Sequence, residues 1–129
     1  SGGWAHVPRV TPDGKLVYVA NFLDDTIAVF DTDTLERRAT LDVEAYPHGL
    51  DISPDGRFVV ATGYASDWVR VIDAKRYIEL ARIEVGLGSA HTAFVSDGSR
   101  AYVGCSGADR VARIDTAALA CQDLIALTN

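Results

Sequence analysis

The sequence predicts an all-β protein made of three copies of one four-stranded unit. Asp-Gly pairs begin at residues 13, 55 and 97, a constant spacing of 42 residues within the 129-residue chain. Two further sets of aspartates keep that spacing: Asp25, Asp67 and Asp109, and Asp31, Asp73 and Asp115. A fixed period of roughly 20 to 50 residues indicates a repeat architecture. Short runs rich in β-branched and aromatic residues lie between these marks, which indicates strands.

The first two strands of each unit flank the Asp-Gly pair. Glycine reaches positive φ without a steric penalty, and aspartate bonds its own backbone in tight turns, so an Asp-Gly between two apolar runs predicts a β-hairpin. The runs that follow the turns are Leu16–Val19, Phe58–Val60 and Ala101–Val103.

The third and fourth strands follow after short polar links. The third strands are expected at Thr26–Phe30, Trp68–Ile72 and Arg110–Ile114, where Arg70 and Arg113 favour solvent-facing or edge positions. The fourth strands show the alternation of a half-buried strand, with Asp123 as the mismatch. Their alternating positions are Ala39, Leu41 and Val43, then Ala81, Ile83 and Val85, then Asp123, Ile125 and Leu127.

Each unit therefore predicts a four-stranded antiparallel meander, which is the blade of a β-propeller. Short segments near residues 33–38, 74–79 and 117–120 have the composition for one helical turn, and none is long enough to be a stable helix. The expected blades cover approximately residues 4–45, 46–88 and 89–129, within a single propeller segment that spans residues 1–129.

One stretch of the first unit carries a family resemblance. Residues 11–21, Thr-Pro-Asp-Gly-Lys-Leu-Val-Tyr-Val-Ala-Asn, continue to Asp31-Thr32 and resemble the YVTN-type β-propeller repeat. The resemblance extends over the chain from His6 onward. Such propellers include lactonase-like proteins, surface-layer proteins and d1-haem domains of nitrite reductase relatives. The resemblance thus implies the fold, and a shared fold does not by itself specify an activity.

Composition excludes some classes of function. The net charge of -6 argues against a surface for nucleic-acid phosphates. No apolar run approaches the roughly 18 residues of a membrane span.

Cys105 and Cys121 form neither a Cys-x-x-Cys nor a c-type haem motif, and a disulfide between them stays open. The chain begins without Met, which is typical of a processed or excised piece and leaves the compartment open.

Three blades are too few for a closed ring, since closed propellers have about four to eight. The outer blades would expose broad apolar flanks. Two arrangements would cover them. The segment belongs to a larger, seven-bladed protein, or two copies form a six-bladed ring with two-fold symmetry. We expect a homo-oligomer that forms through the outer blades.

Three histidines precede the innermost strands and make the first candidate site. His6, His48 and His91 are expected to face the mouth of the central channel. The third lies 43 residues after the second, and its unit lacks the proline before Asp-Gly. Imidazole is the commonest transition-metal ligand, so a divalent metal such as copper or zinc is one interpretation, with Asp51 as the nearby carboxylate. The alternative is a repeat turn in which each ring bonds local backbone.

The remaining candidates are aromatic residues and repeated aspartates. Tyr46 is expected at the rim of the channel, among aromatic residues of the interstrand links that would contact a ligand or protein. These are Trp4, Phe22, Tyr46, Tyr64 and Trp68. The aspartates recur symmetrically, which favours turn chemistry over catalysis. No catalytic or cofactor motif is evident. We predict a non-catalytic scaffold, with a fragment of a lactonase-like, haem d1 or copper-dependent propeller enzyme as the alternative.

Overall fold

The computed structural model describes residues 4–43, 46–64, 66–86 and 88–126. These residues form three four-stranded sheets in which strands adjacent in the chain are adjacent and antiparallel in the sheet. The first sheet contains β1 (Ala5–Val10), β2 (Leu16–Asn21), β3 (Thr26–Asp31) and β4 (Arg37–Asp42). The second contains β5 (Pro47–Ile52), β6 (Phe58–Gly63), β7 (Trp68–Asp73) and β8 (Ile78–Glu84). The third contains β9 (Ser89–Phe94), β10 (Arg100–Cys105), β11 (Arg110–Asp115) and β12 (Ala120–Ala126). The predicted all-β fold of three antiparallel blades is confirmed.

The Asp-Gly turns are formed as their composition predicts. Gly14 has φ +74°, and its backbone N–H donates to the Thr11 carbonyl at 2.8 Å. A carboxylate oxygen of Asp13 accepts hydrogen bonds from the Thr11 hydroxyl at 2.6 Å and the Lys15 N–H at 3.0 Å. Gly56 and Gly98 have the same φ in the other two blades. Because side-chain and backbone bonds agree, the hairpin register is fixed at this end of each sheet.

The third hairpin corrects the alignment that the sequence suggested. Val95 donates to the Arg100 carbonyl and accepts from the Gly98 N–H, as Thr11 does in the first blade. Ser96 therefore stands where the other blades have proline, and no residue is missing. His91 consequently lies one residue further along its strand than His6 and His48 do.

The polar link after β2 contains a short 3₁₀ turn, Phe22–Asp24. The links proposed for one helical turn are instead tight turns with a left-handed residue, at Leu35 (φ 61°), Tyr77 (φ 61°) and Leu119 (φ 53°). Side chains of the preceding aspartates close these turns, which removes the need for helical hydrogen bonds.

The buried core lies between blades. The first cluster joins Tyr18, Ile27 and Val29 of the first blade to Leu50, Val59 and Ile72 of the second. The second cluster joins Val60, Val69 and Val71 to Val103, Ala112 and Ile114 of the third. Because neighbouring residues of a strand point to opposite faces, consecutive residues of β6 serve different clusters. The middle blade is therefore covered on both faces.

Each outer blade has one covered and one uncovered face. In the first blade, Val17 and Val19 alternate with the buried Tyr18 and are only half-buried. In the third blade, Tyr102 and Val111 hold the corresponding half-buried positions of the opposite face. Both uncovered faces therefore present apolar side chains, and on the third blade Arg113 lies opposite Tyr102.

One side chain, that of Arg70, differs from the sequence expectation, and the two cysteines settle a point that the sequence left open. Arg70 is not at a solvent-facing edge: it is 8% exposed and forms an ion pair with Glu79 of the adjacent strand. The Arg70 side chain faces the first blade, so its guanidinium contacts Glu79 along the interface between the first and second blades. Cys105 and Cys121 are free thiols, and Cys105 is buried. Within the described ranges, no helix has the length and apolar character to cross a membrane.

Candidate functional site at the channel mouth

The innermost strands β1, β5 and β9 lie side by side, and each is irregular near its beginning. The register shifts lie between Ala5 and Val7, between Pro47 and Leu50, and in the stretch of β9 opposite Val103–Cys105. In such β-bulges two residues oppose one on the partner strand, and the extra residue is re-aimed. All three predicted histidines lie within these bulges.

The bulges bring the histidine rings into one row. The ring centroids of His6 and His48 are 4.6 Å apart, and those of His48 and His91 are 4.8 Å apart. His48 is half-buried at the centre of the row, while His6 and His91 are exposed. The described residues contain no group of three or more His, Cys, Asp or Glu side chains arranged to hold a metal ion. The divalent metal therefore stays a prediction.

Aromatic rings extend the row on one side. The ring of Phe22 stacks on Tyr46, with centroids 5.1 Å apart and planes at 25°. Phe22 also lies 5.8 Å from His6 and 6.1 Å from Tyr64, whose ring is 5.8 Å from His48. We call these six side chains the mouth cluster: His6, Phe22, Tyr46, His48, Tyr64 and His91. The contacts place Phe22 near the centre of the cluster.

The same backbone hydrogen bond supports this cluster in successive blades. Phe22 N–H donates to the Trp4 carbonyl at 2.8 Å, and Tyr64 N–H donates to the Tyr46 carbonyl at 2.9 Å. In the third blade Ser106 N–H donates to the Gly88 carbonyl at 3.1 Å. The aromatic pair of the first two loops is thus replaced by glycine and serine in the third. The cluster is asymmetric although the loops are repeats.

Gly88 explains why the third loop differs. Its φ is +68°, and an added Cβ would lie 3.0 Å from the Gly107 backbone nitrogen and 3.3 Å from the Ser106 hydroxyl. Tyr46 carries a side chain at the equivalent repeat position with φ 55°, so the close contacts of the third loop, and not its backbone conformation, set residue 88 apart. The sequence signal for this asymmetry was present, because residues 22, 64 and 106 share one repeat position.

Asp51 ties the inner strands together. One carboxylate oxygen accepts from the Phe94 N–H of β9 at 2.9 Å, and the other accepts from the Ile52 N–H at 2.9 Å. The second oxygen is also 4.0 Å from Arg9 Nε of β1. These contacts give Asp51 a structural use between three blades, and its role toward a ligand stays a prediction.

The repeated aspartates make turn contacts of the kind we expected. Asp31 accepts from the N–H groups of Asp33 and Thr34 at 2.9 Å and from Arg38 at 2.9 Å. These hydrogen bonds, with that from Thr34 N–H the largest contribution, hold the pKa of the Asp31 carboxyl well below its usual range. Asp25, at φ 56°, accepts from the Tyr46 N–H at 2.8 Å and so positions one member of the mouth cluster.

Comparison with known proteins places the chain among propellers. No curated protein sequence matches it at a significant level. Among solved structures, hydrazine synthase from Kuenenia stuttgartiensis matches with TM-score 0.91 and 27% identity, over 97% of this chain and 36% of that one. U3-55K matches with TM-score 0.90 and 15% identity, over 98% of this chain and 40% of that one. The RRP9 WD40 repeats match with TM-score 0.90 and 15% identity, over 98% and 39%.

The chain spans less than half the length of each of these solved chains. The two at 15% identity show the fold alone. A family model described as lactonase, seven-bladed β-propeller, matches residues 4–78, which is more than half of the sequence. With three antiparallel blades arranged around inner strands and this match, the chain belongs to the lactonase family of seven-bladed β-propellers.

Proposed function

We propose that this chain is a non-catalytic binding module with YVTN-type repeats, whose ligand or protein partner contacts the mouth cluster. The supporting observation is the row of His6, His48 and His91, placed by bulges and flanked by the stacked rings of Phe22 and Tyr46. Bulges are over-represented at functional sites because they re-aim side chains without dissolving the sheet. A binding module also accounts for the asymmetric aromatic residues, which the repeat itself does not require.

Titration with Zn²⁺ and with Cu²⁺, followed by calorimetry, tests the metal form of this proposal. We expect a binding heat that is lost in His48→Ala, because His48 contacts both other rings. Leu35→Ala, an exposed position on a loop between β3 and β4, serves as the control and should leave the heat unchanged. Absence of heat in the unmodified protein contradicts metal binding.

The alternative is a fragment of a lactonase-like enzyme, favoured by the family match over residues 4–78. Hydrolysis of δ-gluconolactone separates the two. The binding-module proposal expects the uncatalysed rate, and a faster rate that disappears in His48→Ala would contradict it and support the enzyme.

We further propose that, where the three blades stand alone, a second copy covers the uncovered faces of the first and third blades and completes a six-bladed ring with two mouth clusters; in a longer seven-bladed chain, further blades would cover the same faces. Burial of Val17, Val19, Tyr102 and Val111 would supply the apolar contact. Light scattering coupled to gel filtration should give the mass of two chains. A monodisperse single chain contradicts this arrangement.

A further inference from the structure

The two ends of the sheets differ in composition. The mouth end carries the beginnings of β1 and β3 and the ends of β2 and β4, with their equivalents in the other blades. The Asp-Gly end carries the opposite termini. At the mouth end aromatic side chains are exposed, to 66% at Trp4, 60% at Tyr64 and 43% at Tyr46, whereas the Asp-Gly end exposes aliphatic ones such as Leu35. Exposed aromatic side chains of this kind are enriched at protein interfaces.

Charge also differs between the ends. At the Asp-Gly end the acids are mixed with bases: Arg38 pairs with Asp31 at 2.9 Å, and Arg76 approaches Asp73 to 4.0 Å. At the mouth end the described acids outnumber the described bases, which are Arg110 at the beginning of β11 and Arg82 two residues before the end of β8. These acids are Asp24, Asp25, Asp42, Asp67, Glu84 and Asp109. The mouth end of the described residues therefore carries an excess of negative charge, with Asp24 and Asp25 in the same β2–β3 link as Phe22 of the mouth cluster.

One carboxylate is held beside an aromatic residue through that residue's backbone. The Asp25 carboxylate accepts from the Tyr46 N–H at 2.8 Å, and the Tyr46 ring stacks on Phe22. A cation that approaches these rings would meet both the ring faces and a carboxylate. Cation–π attraction and charge complementarity then act together.

The shape of the surface favours a chain segment over a small molecule. The exposed Tyr46 and Tyr64 rings belong to the second blade, and the half-buried Phe22 ring of the first blade meets Tyr64 edge to face, with centroids 6.1 Å apart. Small-ligand sites are typically concave and enclose most of the ligand. A row of rings that remains exposed to solvent fits an extended segment with successive side chains.

We infer that the mouth end binds a basic peptide segment of a protein partner, with lysine or arginine side chains placed on the Tyr46 and Tyr64 rings. This inference rests on the proposed function, because it names the partner class of the same cluster. It adds a directional claim: the first two blades make the contact, and the third, with Gly88 and Ser106 in the loop, contributes little.

Fluorescence anisotropy with labelled peptides of equal length tests the claim. One peptide is rich in lysine and arginine, the second carries glutamate at those positions, and the third is neutral. The basic peptide should bind most tightly. Tyr64→Ala should weaken its binding by about tenfold, as expected for an aromatic anchor. Leu35→Ala, at the other end, should not change it.

A matched pair of substitutions tests how much a negative charge contributes to peptide binding. Asp25→Asn removes the charge but keeps an oxygen that can accept the Tyr46 N–H, and Asn tolerates the left-handed backbone at this position. We expect a loss of about two- to fivefold, typical of one exposed charge. Asp33→Asn makes the same charge change at the Asp-Gly end and should have no effect.

The histidine ring resonances, followed by NMR during each titration, report whether the mouth cluster is occupied. Equal binding of the neutral or acidic peptide with shifts of these resonances overturns the basic-peptide inference and leaves the binding module intact. Binding of the basic peptide without such shifts overturns the inferred location. If no peptide and no metal shifts these resonances, both the inference and the proposed function fail.

Discussion

The middle and outer blades share one repeat, yet their equivalent residues have different environments. Val59 of the middle blade is fully buried against the first blade, whereas Val17, 42 residues earlier, is half-buried on an uncovered face. On the opposite face Tyr18 is fully buried and Tyr102 is half-buried. Burial at a repeat position is thus set by whether a neighbouring blade is present. The free energy of unfolding of such a repeat array is approximately the sum of the stabilities of its units and of the interfaces between neighbouring units.

The largest expected effect is the loss of stability in Val59→Ala. Removing two buried methyl groups and leaving a cavity should lower the free energy of unfolding by about 2 kcal/mol. Val17→Ala makes the same change on the uncovered face. In the proposed ring its effect should depend on protein concentration, because it weakens the contact between copies. Denaturant unfolding at several concentrations measures both, and a concentration-independent effect of Val17→Ala contradicts burial by a second copy.

A smaller effect is expected for Tyr18→Phe. The Tyr18 hydroxyl donates to the Ala74 carbonyl of the next blade at 2.5 Å, and its burial raises the pKa of the phenol. Its loss should cost about 1–2 kcal/mol, because a buried carbonyl loses its donor. Tyr102 is the equivalent residue in the third blade, and Thr32 is the repeat equivalent of Ala74.

Tyr102→Phe therefore tests the same interface between copies. In a closed ring the Tyr102 hydroxyl would reach the Thr32 carbonyl of the second copy, and the two variants should lose similar stability. Thermal unfolding of both variants decides this. If Tyr102→Phe unfolds as the unmodified protein does while Tyr18→Phe is destabilised, the third blade has no such neighbour.

The smallest expected effect is the change in stability at acidic pH. Hydroxyl hydrogen bonds from Thr11, Ser53 and Ser99, followed by backbone N–H groups, lower the pKa of Asp13, Asp55 and Asp97 respectively. A carboxyl with a lower pKa in the folded state stabilises the fold above its unfolded pKa of about 3.9, and this contribution is lost as the pH falls through the folded value.

Asp55→Asn should therefore lower the melting temperature modestly at pH 7, with a difference that shrinks as the pH falls below about 4. Melting curves between pH 2 and 7 measure it. A difference that stays constant across this range would show that the turn depends on the shape of the side chain and not on its charge.

The architecture could be predicted from the sequence because the repeat period, the turn residues and the composition of the strands all indicate the same elements. Asp13-Gly14 and its repeats specify hairpins by backbone preference alone, and the apolar runs beside them specify strands. Arg70 was placed wrongly, since its burial depends on Glu79 across the strand pair and on the adjacent blade. An ion pair and a covering blade that come together only on folding leave no pattern in the sequence around Arg70.

The candidate site was predictable in part. The proximity of the three histidines follows from the repeat, and their distances of 4.6 and 4.8 Å follow from bulges, which the sequence does not mark. The one-residue shift of His91 became clear only from the hydrogen bonds of the third hairpin. These bonds show that Ser96 replaces the proline and that no residue is deleted. Phe22 was one of several aromatic residues, and its central contacts with Tyr46 and Tyr64 emerged only from the folded loops.

The bulges of the innermost strands have a consequence for how this scaffold can diversify. Because a bulge already opposes two residues to one, a side chain can move one place along the strand while the ladder beyond it keeps its pairing, as His91 shows. Residues facing the opening can therefore be exchanged with little disturbance to the walls that support them. Changes in recognition and changes in folding stability can therefore arise at nearly separate sets of positions.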